Sequence, residues 1–231
     1  MGLGQSTRPG LGRCVTATVF PILYSFRRCP YAMRARLALA VAGQTCELRE
    51  VVLSRKPAEL RQASAKATVP VLVTVNGRVI EESLDIMLWA LHRNDPMNWL
   101  PDETAMPGAL QWVARCDGEF KQQLDRYKYP GRFAVTDRTT PRSAAALFLS
   151  DLNLRLGQGA FLASTHWGLA DAAVAPFVRQ FAHIDQAWFA SQPWPELQSW
   201  LREFETSSLF ERIMRVFPSW QPDTFEKLSF I

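Results

Sequence analysis

The chain has 231 residues, a length that suits one large or two small domains with complete hydrophobic cores. Its 48% hydrophobic and 21% charged residues are ordinary for a globular protein, and a net charge of +4 without a lysine–arginine block argues against nucleic-acid binding. No run approaches the roughly 18 apolar residues of a membrane span. Residues 1–15 lack the apolar core of a secretory signal, so we expect residues 1–18 to form a frayed tail.

The four cysteines are Cys14, Cys29, Cys46 and Cys116, and they contain no Cys-x-x-Cys pair. None has a metal-like spacing to a histidine, so the sequence predicts no metal site. Free thiols of this kind are typical of a reducing cytoplasm, which is the predicted location.

The first half of the sequence predicts a small α/β domain over residues 19–93. A buried strand begins after Pro21, and the first helix ends before Gly43, a typical C-cap residue. Asn76-Gly77 lies between two apolar runs and predicts a hairpin, because a type I′ turn needs positive φ at both positions. The order is βαβαββα, with elements at residues 22–26, 30–42, 48–53, 56–60, 69–75, 78–80 and 83–91.

The second half of the sequence predicts an all-helical domain. Residues 94–108 are rich in Pro, Asn and Asp, which is typical of a linker, and the helical domain is expected over residues 109–231. Apolar residues at three- and four-residue spacing predict helices at residues 109–127, 142–156, 169–183, 194–207 and 209–216.

Cys29 is the candidate nucleophile, because it lies between the first strand and the first helix. Pro30 suits a first helical turn, where unpaired N–H groups and the helix dipole would favour a thiolate. Arg27 and Arg28 add positive charge next to the sulfur. We therefore expect the Cys29 pKa to lie below the ordinary value of about 8.5, and an inert core cysteine is the alternative.

Further residues of the first domain form a set that suits a short peptide. Val69-Pro70 opens the hairpin strand, and a proline there is cis in thioredoxin-like domains, which frees backbone groups for an extended peptide. Ser83 opens the third helix as an N-cap or a carboxylate receptor, and Glu82 offers an anion for an ammonium group. Lys56 follows the second strand. Together these residues would hold a peptide with its thiol aimed at Cys29.

The sequence resembles a cytosolic glutathione transferase from about residue 21 to residue 220. The resemblance is carried by the segments Arg28-Cys29-Pro30-Tyr31-Ala32, Val69-Pro70, Glu82-Ser83-Leu84-Asp85-Ile86 and Trp167-Gly168-Leu169-Ala170-Asp171-Ala172-Ala173. Among the classes it is most similar to the cysteine-type enzymes, omega and its bacterial relatives. The implied fold is a thioredoxin-like domain followed by the family's helical domain, and the implied assembly is a homodimer by family default, with a monomer left open.

The resemblance also implies a role for each site residue, with glutathione as co-substrate. Cys29 would be the catalytic thiol that forms a mixed disulfide with glutathione, and Val69, before a cis Pro70, would pair with its cysteinyl backbone. Lys56 would bind the glycine carboxylate, while Glu82 and Ser83 would hold the γ-glutamyl end.

In the second domain the resemblance implies a helix N-capping box that contains Asp171. Gly168 stands where the family usually has Ser or Thr, so we expect an incomplete box in an intact fold.

The motif has Ala32 where a dithiol enzyme has a second cysteine, so disulfide exchange would proceed through bound glutathione. The preferred reaction is therefore glutathione-dependent thiol transfer. One alternative is conjugation of glutathione to a small electrophile, using Ser25 or a bound water. Another is a non-catalytic interaction protein on the same fold.

The second substrate, a small electrophile or disulfide, is expected between Cys29 and the first helix of the helical domain. Arg28 and Tyr31 come from the cysteine motif, and Trp112, Arg115 and Asp117 come from that helix. An interdomain or surface role is the alternative for Arg115 and Asp117.

Overall fold

The structure, a computed structural model, describes residues 20–222 and 227–228, so the tail expected over residues 1–18 lies outside the described residues. The first domain has the predicted order of elements, which confirms the βαβαββα fold class. Its elements are β1 (Ile22–Ser25), α1 (Pro30–Val41), β2 (Cys46–Glu50), α2 (Ala58–Ala63), β3 (Val71–Val73), β4 (Val79–Ile80) and α3 (Ser83–Arg93).

The strands form one mixed sheet in the order β4-β3-β1-β2-β5, where β5 is Lys227–Leu228. β1 and β2 are parallel, because α1 provides the crossover between them, whereas β3 is antiparallel to both β1 and β4. β5 pairs antiparallel with β2 at the sheet edge. The sequence predicts only helices over residues 109–231, and β5 corrects that prediction, since two residues are too short to carry a strand pattern.

The segment after the second domain returns to the first. The Trp220 backbone N–H donates to the Glu50 carbonyl over 2.9 Å, and the Arg49 guanidinium carbon lies 4.3 Å from the centroid of a Trp220 ring. This segment and β5 together cover the outer edge of β2.

The hairpin and the helix end predicted at the two glycines are present, but the predicted type I′ turn is wrong, because Asn76 is absent from the described residues with positive φ and the Thr74 carbonyl accepts the Gly77 N–H over 2.9 Å. Gly77 has φ +82° in the β3–β4 hairpin and Gly43 has φ +63° just beyond α1, values that a residue with a side chain rarely adopts. β2 begins and ends earlier than predicted, because it spans Cys46–Glu50 rather than residues 48–53. The apolar residues at 51–53 belong instead to the loop that follows, where Leu53 is 45% exposed.

α1 lies at the centre of the molecule, and eleven of its twelve residues are buried. It packs on α3 within its own domain and also on helices of the second domain. Two arginines, Arg34 and Arg36, are buried completely in this helix. Because a buried charge is stable only with charged and hydrogen-bonding partners, each guanidinium is fully paired.

Arg34 connects the two domains. Its Nη1 and Nη2 atoms donate to the two carboxylate oxygens of Asp117 over 2.9 and 2.7 Å, and its Nε donates to the Ala173 carbonyl over 2.6 Å. The guanidinium carbon also lies 4.3 Å from the ring centroid of Phe177. This bidentate pair fixes the second domain against the helix that begins after Cys29.

Arg36 forms a second buried cluster. Its Nε donates to the Ser25 hydroxyl over 2.8 Å, its Nη1 donates to the Ile213 carbonyl over 3.0 Å, and its Nη2 forms an ion pair with Glu50. The other Glu50 oxygen accepts the Arg27 backbone N–H over 2.7 Å. The cluster thus joins β1, α1 and β2 to the end of the second domain.

The second domain is helical, as the sequence predicts. Its elements are α4 (Met106–Arg115), α5 (Lys121–Lys128), α6 (Thr139–Gln158), α7 (Leu169–Ala182), α8 (Gln186–Ala190), α9 (Pro195–Thr206) and α10 (Ser208–Ile213). The single helix predicted over residues 109–127 is wrong, because a π-helical turn at Cys116–Phe120, with ψ −111° at Gly118, separates α4 from α5.

The segment predicted as a linker, residues 94–108, packs against the second domain at Trp99. This residue is 1% exposed, and its carbonyl accepts the Leu169 N–H over 2.9 Å.

Half of the capping box is formed at α7. The Asp171 carboxylate accepts the Gly168 backbone N–H over 3.3 Å, the Leu162 N–H over 3.2 Å and the Trp200 indole N–H over 2.9 Å. Gly168 has no side chain to complete the box, and a Cβ there would lie 3.3 Å from both the Trp99 carbonyl oxygen and Ser164 Oγ. The close backbone approach explains why glycine occupies this position.

Asp171 should make stability depend on pH. Burial raises the pKa of its carboxyl to about 6, above the ordinary 3.8, so the folded state holds a proton that the unfolded chain has lost. The contribution is present below about pH 4 and is lost as pH rises to about 6, with an amplitude of about 3 kcal/mol. Urea unfolding of the wild type and Asp171→Asn across this range should show the decline only in the wild type. Parallel profiles would contradict the prediction.

No helix among residues 20–222 is both long and apolar enough to cross a bilayer.

Candidate active site at Cys29

Cys29 is the N-cap residue of α1, directly after the turn that follows β1. Its backbone N–H donates to the Phe26 carbonyl over 2.9 Å, and its carbonyl accepts the Met33 N–H over 2.9 Å. The thiol is half-buried, and Sγ donates to the Val69 carbonyl oxygen over 3.6 Å. The predicted position at a strand-to-helix junction is confirmed, and the sulfur faces the strand that begins after Pro70.

The electrostatics of Cys29 differ from the sequence-based expectation. Burial raises the pKa of the thiol above its ordinary value, and this outweighs the backbone N–H groups of Ala32 and Tyr31 and the charges of Lys121 and Arg34, which lower it. Neither arginine that precedes Cys29 has the predicted effect. The Arg27 guanidinium reaches the Met214 carbonyl instead, and Arg28 is exposed to solvent. The expectation of a Cys29 pKa below the ordinary value is therefore wrong.

Alkylation of Cys29 by iodoacetamide should reflect this raised pKa. We expect the rate to keep increasing with pH up to about pH 9 without a plateau, because only the thiolate reacts. Lys121→Met should shift the profile to higher pH, since it removes a charge that stabilises the thiolate, whereas Arg28→Met should leave it unchanged. Mass spectrometry of the modified peptide provides the measurement. A plateau well below pH 8 would contradict the expectation, as would a shift in Arg28→Met alone.

Two cavities meet at Cys29 and share Tyr31 and Leu53. The first, which we call the cis-proline cavity, has a volume of about 440 Å³. Beyond the shared residues it is lined by Lys56, Thr68, Val69, Pro70, Glu81, Glu82 and Ser83. The five residues that the resemblance assigns to glutathione thus lie around one cavity with the thiol.

The contacts within the cis-proline cavity are specific. The Val69–Pro70 peptide bond is cis, as the resemblance implies, and the Val69 carbonyl faces the Cys29 thiol. Ser83 is buried at the first position of α3, where N–H groups have no partner within the helix. Glu82 is exposed and forms an ion pair with Lys66, a cation that the sequence analysis does not include.

The second cavity, which we call the basic cavity, has a volume of about 450 Å³ and lies between Cys29 and the second domain. Arg28 and Tyr31 line it, as predicted. Its further lining consists of Phe26, Pro30, Lys121, Asp125, Lys128, Tyr129, Arg132 and Gln180. The second domain therefore contributes α5 and the turn after it, together with one residue of α7.

The other three predicted pocket residues lie elsewhere in the structure. Trp112, Arg115 and Asp117 are absent from the described linings of both cavities at Cys29. Arg115 pairs with Asp151, and its guanidinium carbon lies 4.9 Å from the Trp112 ring centroid, whereas Asp117 is engaged by Arg34. The prediction places residues 109–127 in one helix, whereas the π-helical turn divides them into α4, which carries Trp112 and Arg115, and α5, which lines the basic cavity.

The α5 residues that line the basic cavity are not among the predicted pocket residues. Lys121, Asp125 and Lys128 are spaced by four and three residues, so they share one face of α5. The spacing could have identified these residues as one face of a helix that begins at Lys121. The predicted helix over residues 109–127 does not separate that face from the residues of α4.

Within the described residues no cluster of three or more His, Cys, Asp or Glu side chains is arranged to hold a metal ion. Cys46 and Cys116 are buried, and burial raises the pKa of each thiol to about 12. Among the described cysteines, Cys29 is the one that faces a cavity.

Two family models match this chain. The model described as "Glutathione S-transferase, N-terminal domain" matches residues 23–98, and the one described as "Glutathione S-transferase, C-terminal domain" matches residues 142–203. A "Probable glutathione transferase" from Aplysia californica is 40% identical over 55 residues, which cover 24% of this chain and 60% of that protein. The chain thus spans less than two thirds of the length of this curated relative.

Solved structures share the fold at low sequence identity. A glutathione S-transferase from Methylobacillus flagellatus with glutathione bound is 20% identical, with a TM-score of 0.74 over 85% of this chain and 100% of that one. A glutathione transferase from Pseudomonas putida, with one glutathione disulfide bound per subunit, is 18% identical, with a TM-score of 0.73 over 88% and 94% of the two chains.

Proposed function

Since this chain belongs to the glutathione S-transferase superfamily, we propose that it is a cysteine-type enzyme that transfers thiols through a mixed disulfide between Cys29 and glutathione. The observation that carries the proposal is the position of Cys29. Its half-buried thiol lies where the cis-proline cavity and the basic cavity meet, directly opposite the Val69 carbonyl.

We propose that glutathione occupies the cis-proline cavity, as relatives with bound glutathione or its disulfide suggest. Ser83 would hold the γ-glutamyl carboxylate with its hydroxyl and the unpaired N–H groups of α3, because a helix N-terminus favours an anion. Glu82 would face the ammonium group, and Lys56 would bind the glycine carboxylate. Val69 would pair with the cysteinyl backbone, which places the glutathione sulfur beside Cys29.

The Val69 carbonyl has a part in this mechanism. It accepts a hydrogen bond from the Cys29 thiol, which favours the protonated form of the sulfur. A cysteinyl N–H of bound glutathione would compete for the same oxygen and release the thiol. Lys121 and Arg34, whose charges act on Cys29, would then stabilise the thiolate that attacks the disulfide.

Conjugation of glutathione to an electrophile is the less favoured reaction. Ser25, one of the two groups offered for this alternative beside a bound water, is fully buried, and its hydroxyl accepts the Arg36 Nε–H over 2.8 Å. Tyr24 is also buried, and its hydroxyl accepts from Arg49 Nη1 over 2.7 Å. A cysteine thiolate at position 29 would in addition compete with glutathione for the electrophile. The second alternative, a non-catalytic interaction protein, is less favoured because a cysteine, which can act as a nucleophile, lies at the junction of β1 and α1.

Incubation with oxidised glutathione, followed by intact-mass measurement, tests the proposal directly. We expect a gain of one glutathionyl group that dithiothreitol removes and that peptide mapping places on Cys29. Cys14→Ser is the matched control, because Cys14 lies outside the described residues, and it should form the same adduct. An adduct that persists in Cys29→Ser, or none in the wild type, would contradict the proposed function.

We also propose a cytoplasmic location, where the free thiol of Cys29 would stay reduced, and a homodimer, which is the default assembly of the family. Light scattering coupled to size exclusion tests the second point. A mass near 26.1 kDa would indicate a monomer.

A further inference from the structure

The two cavities at Cys29 differ in charge. The basic cavity is lined by four cationic side chains, Arg28, Lys121, Lys128 and Arg132, and by a single carboxylate, that of Asp125. The cis-proline cavity is closer to neutral, because its lining contains Lys56 with Glu81 and Glu82, and the Glu82 carboxylate pairs with Lys66. A molecule that spans Cys29 would therefore meet a nearly balanced lining on one side and a positive lining on the other.

The positive charge of the basic cavity is largely uncompensated. Lys121 pairs with Asp125, which accounts for the carboxylate. None of the ion pairs within the described part of the chain includes Arg28, Lys128 or Arg132. Three cations thus surround a concave, water-accessible space next to a nucleophile, and this arrangement attracts anions.

An aromatic ring holds two of these cations in place. Lys128 Nζ lies 5.2 Å from the Tyr129 ring centroid, and the Arg132 guanidinium carbon lies 4.8 Å from it. Tyr129 is 38% exposed and itself lines the cavity, opposite Tyr31 and Phe26 from the first domain. The lining therefore combines apolar ring surface with positive charge.

We propose that the basic cavity selects an anionic second substrate: a disulfide of glutathione whose other half carries a carboxylate or sulfonate. This inference rests on the proposed function, because it assigns the glutathionyl half to the cis-proline cavity. The anionic half would then extend toward Lys128 and Arg132. The shared residues, Cys29, Tyr31 and Leu53, would lie under the disulfide bond.

The chemistry balances with glutathione as the reductant. The Cys29 thiolate attacks the glutathionyl sulfur, the disulfide bond breaks, and the anionic half leaves as a thiolate that takes a proton from water. A second glutathione, as its thiolate, attacks the Cys29–glutathione disulfide. Oxidised glutathione is released and the Cys29 thiolate returns, so one glutathione mixed disulfide and one glutathione yield one free thiol and oxidised glutathione.

Three mixed disulfides of glutathione test the proposal, with mercaptopropionate, mercaptoethanol or cysteamine as an anionic, neutral or cationic leaving half. We expect kcat/KM, divided by the uncatalysed rate of the same disulfide with glutathione, to be highest for the anionic compound, and we expect this advantage to shrink as salt is added. Lys128→Glu/Arg132→Glu should lower the ratio of anionic to cationic kcat/KM by about tenfold. Because intrinsic leaving-group differences cancel in this comparison, the change in ratio reports the cavity alone.

Arg202→Glu is the matched charge-reversal control, since Arg202 is exposed on α9 and bonds to Ser199. It should leave the ratio within about twofold, the usual effect of a remote surface charge. An unchanged ratio in Lys128→Glu/Arg132→Glu would overturn the proposal, as would a wild type that prefers the cationic disulfide after each kcat/KM is divided by the uncatalysed rate of the same disulfide with glutathione.

A binding measurement separates this proposal from the proposed function. Cys29→Ser should bind anilinonaphthalene sulfonate, an anionic aromatic fluorophore, and Lys128→Glu/Arg132→Glu in that background should weaken binding by about tenfold. Charge-dependent binding without any Cys29 adduct would mean that the thiol-transfer function fails while the anion site stands. Equal affinity for the fluorophore with and without Lys128→Glu/Arg132→Glu would overturn the anion site itself.

Discussion

Cys29→Ser is expected to lose glutathione-dependent disulfide exchange by at least about 10³-fold, because serine lacks a nucleophile that can form the mixed disulfide. The reaction is followed as oxidised glutathione formed from glutathione and a small mixed disulfide. The substitution changes one atom at the N-terminus of α1, so the surrounding contacts stay in place. Thermal unfolding should confirm an unchanged fold.

The same variant distinguishes the alternative functions. Retention on immobilised glutathione should persist in Cys29→Ser and weaken in Ser83→Ala, because binding depends on the cis-proline cavity rather than on the thiol. Exchange activity that survives Cys29→Ser would contradict the proposed mechanism. A wild type that conjugates electrophiles at a rate indifferent to Cys29 would favour the transferase alternative, and absence of both binding and turnover would favour an interaction protein.

Glu50→Ala is expected to destabilise the protein by about 3–5 kcal/mol, because it leaves the Arg36 guanidinium buried without its counter-charge. The Arg36 side chain is 1% exposed and that of Glu50 is 13% exposed, so water cannot replace the carboxylate. For a protein of this size the loss corresponds to a Tm lower by about 6–20 °C. Denaturant unfolding with a two-state fit measures the free energy.

Asp151→Ala is the matched control, because Asp151 also pairs with an arginine but at the surface, where the side chains of Arg115 and Asp151 are 40% and 50% exposed. Its loss should cost less than about 1 kcal/mol. If Glu50→Ala and Asp151→Ala lost similar free energies of unfolding, the burial of Arg36 would not determine the stability of the cluster. Glu50→Gln should lie between them, since an amide oxygen still accepts a hydrogen bond but carries no charge.

The features that follow from local chemistry were predictable. Gly77 marks the hairpin because few residues other than glycine adopt the positive φ found there, and Pro30 marks a helix start because it needs no N–H partner there. The alternation of strands and helices in the first domain has the same origin. Each of these signals is contained within a few residues of sequence.

The features that depend on distant partners were not predictable. Arg34 and Arg36 are polar residues in an alanine- and leucine-rich helix, and nothing nearby indicates that both are buried. Their partners, Asp117 and Glu50, lie 83 and 14 residues away, and pairing of this kind emerges only from tertiary packing. The raised pKa of Cys29 has a similar cause, because the burial that raises it arises from tertiary packing and is invisible to an argument from the helix dipole.

The site was predictable in one half only. The residues of the cis-proline cavity belong to short motifs within one domain, so the resemblance transfers position by position. The basic cavity depends on the direction of α5, which a break at Gly118 changes. Trp112 and Arg115 were therefore assigned to the wrong surface, while Lys121 and Lys128 were missed.

The pairing of β5 with β2 means that the first domain is not one continuous piece of chain. A fragment cut between α3 and α4 would contain the thiol and the cis-proline cavity, yet it would lack the strand and the Trp220 segment that cover β2. Its exposed edge would present unpaired N–H and C=O groups, which are a template for pairing with another chain. Attempts to express the first domain as an independent module should therefore give self-associating material unless residues 214–228 are supplied as well.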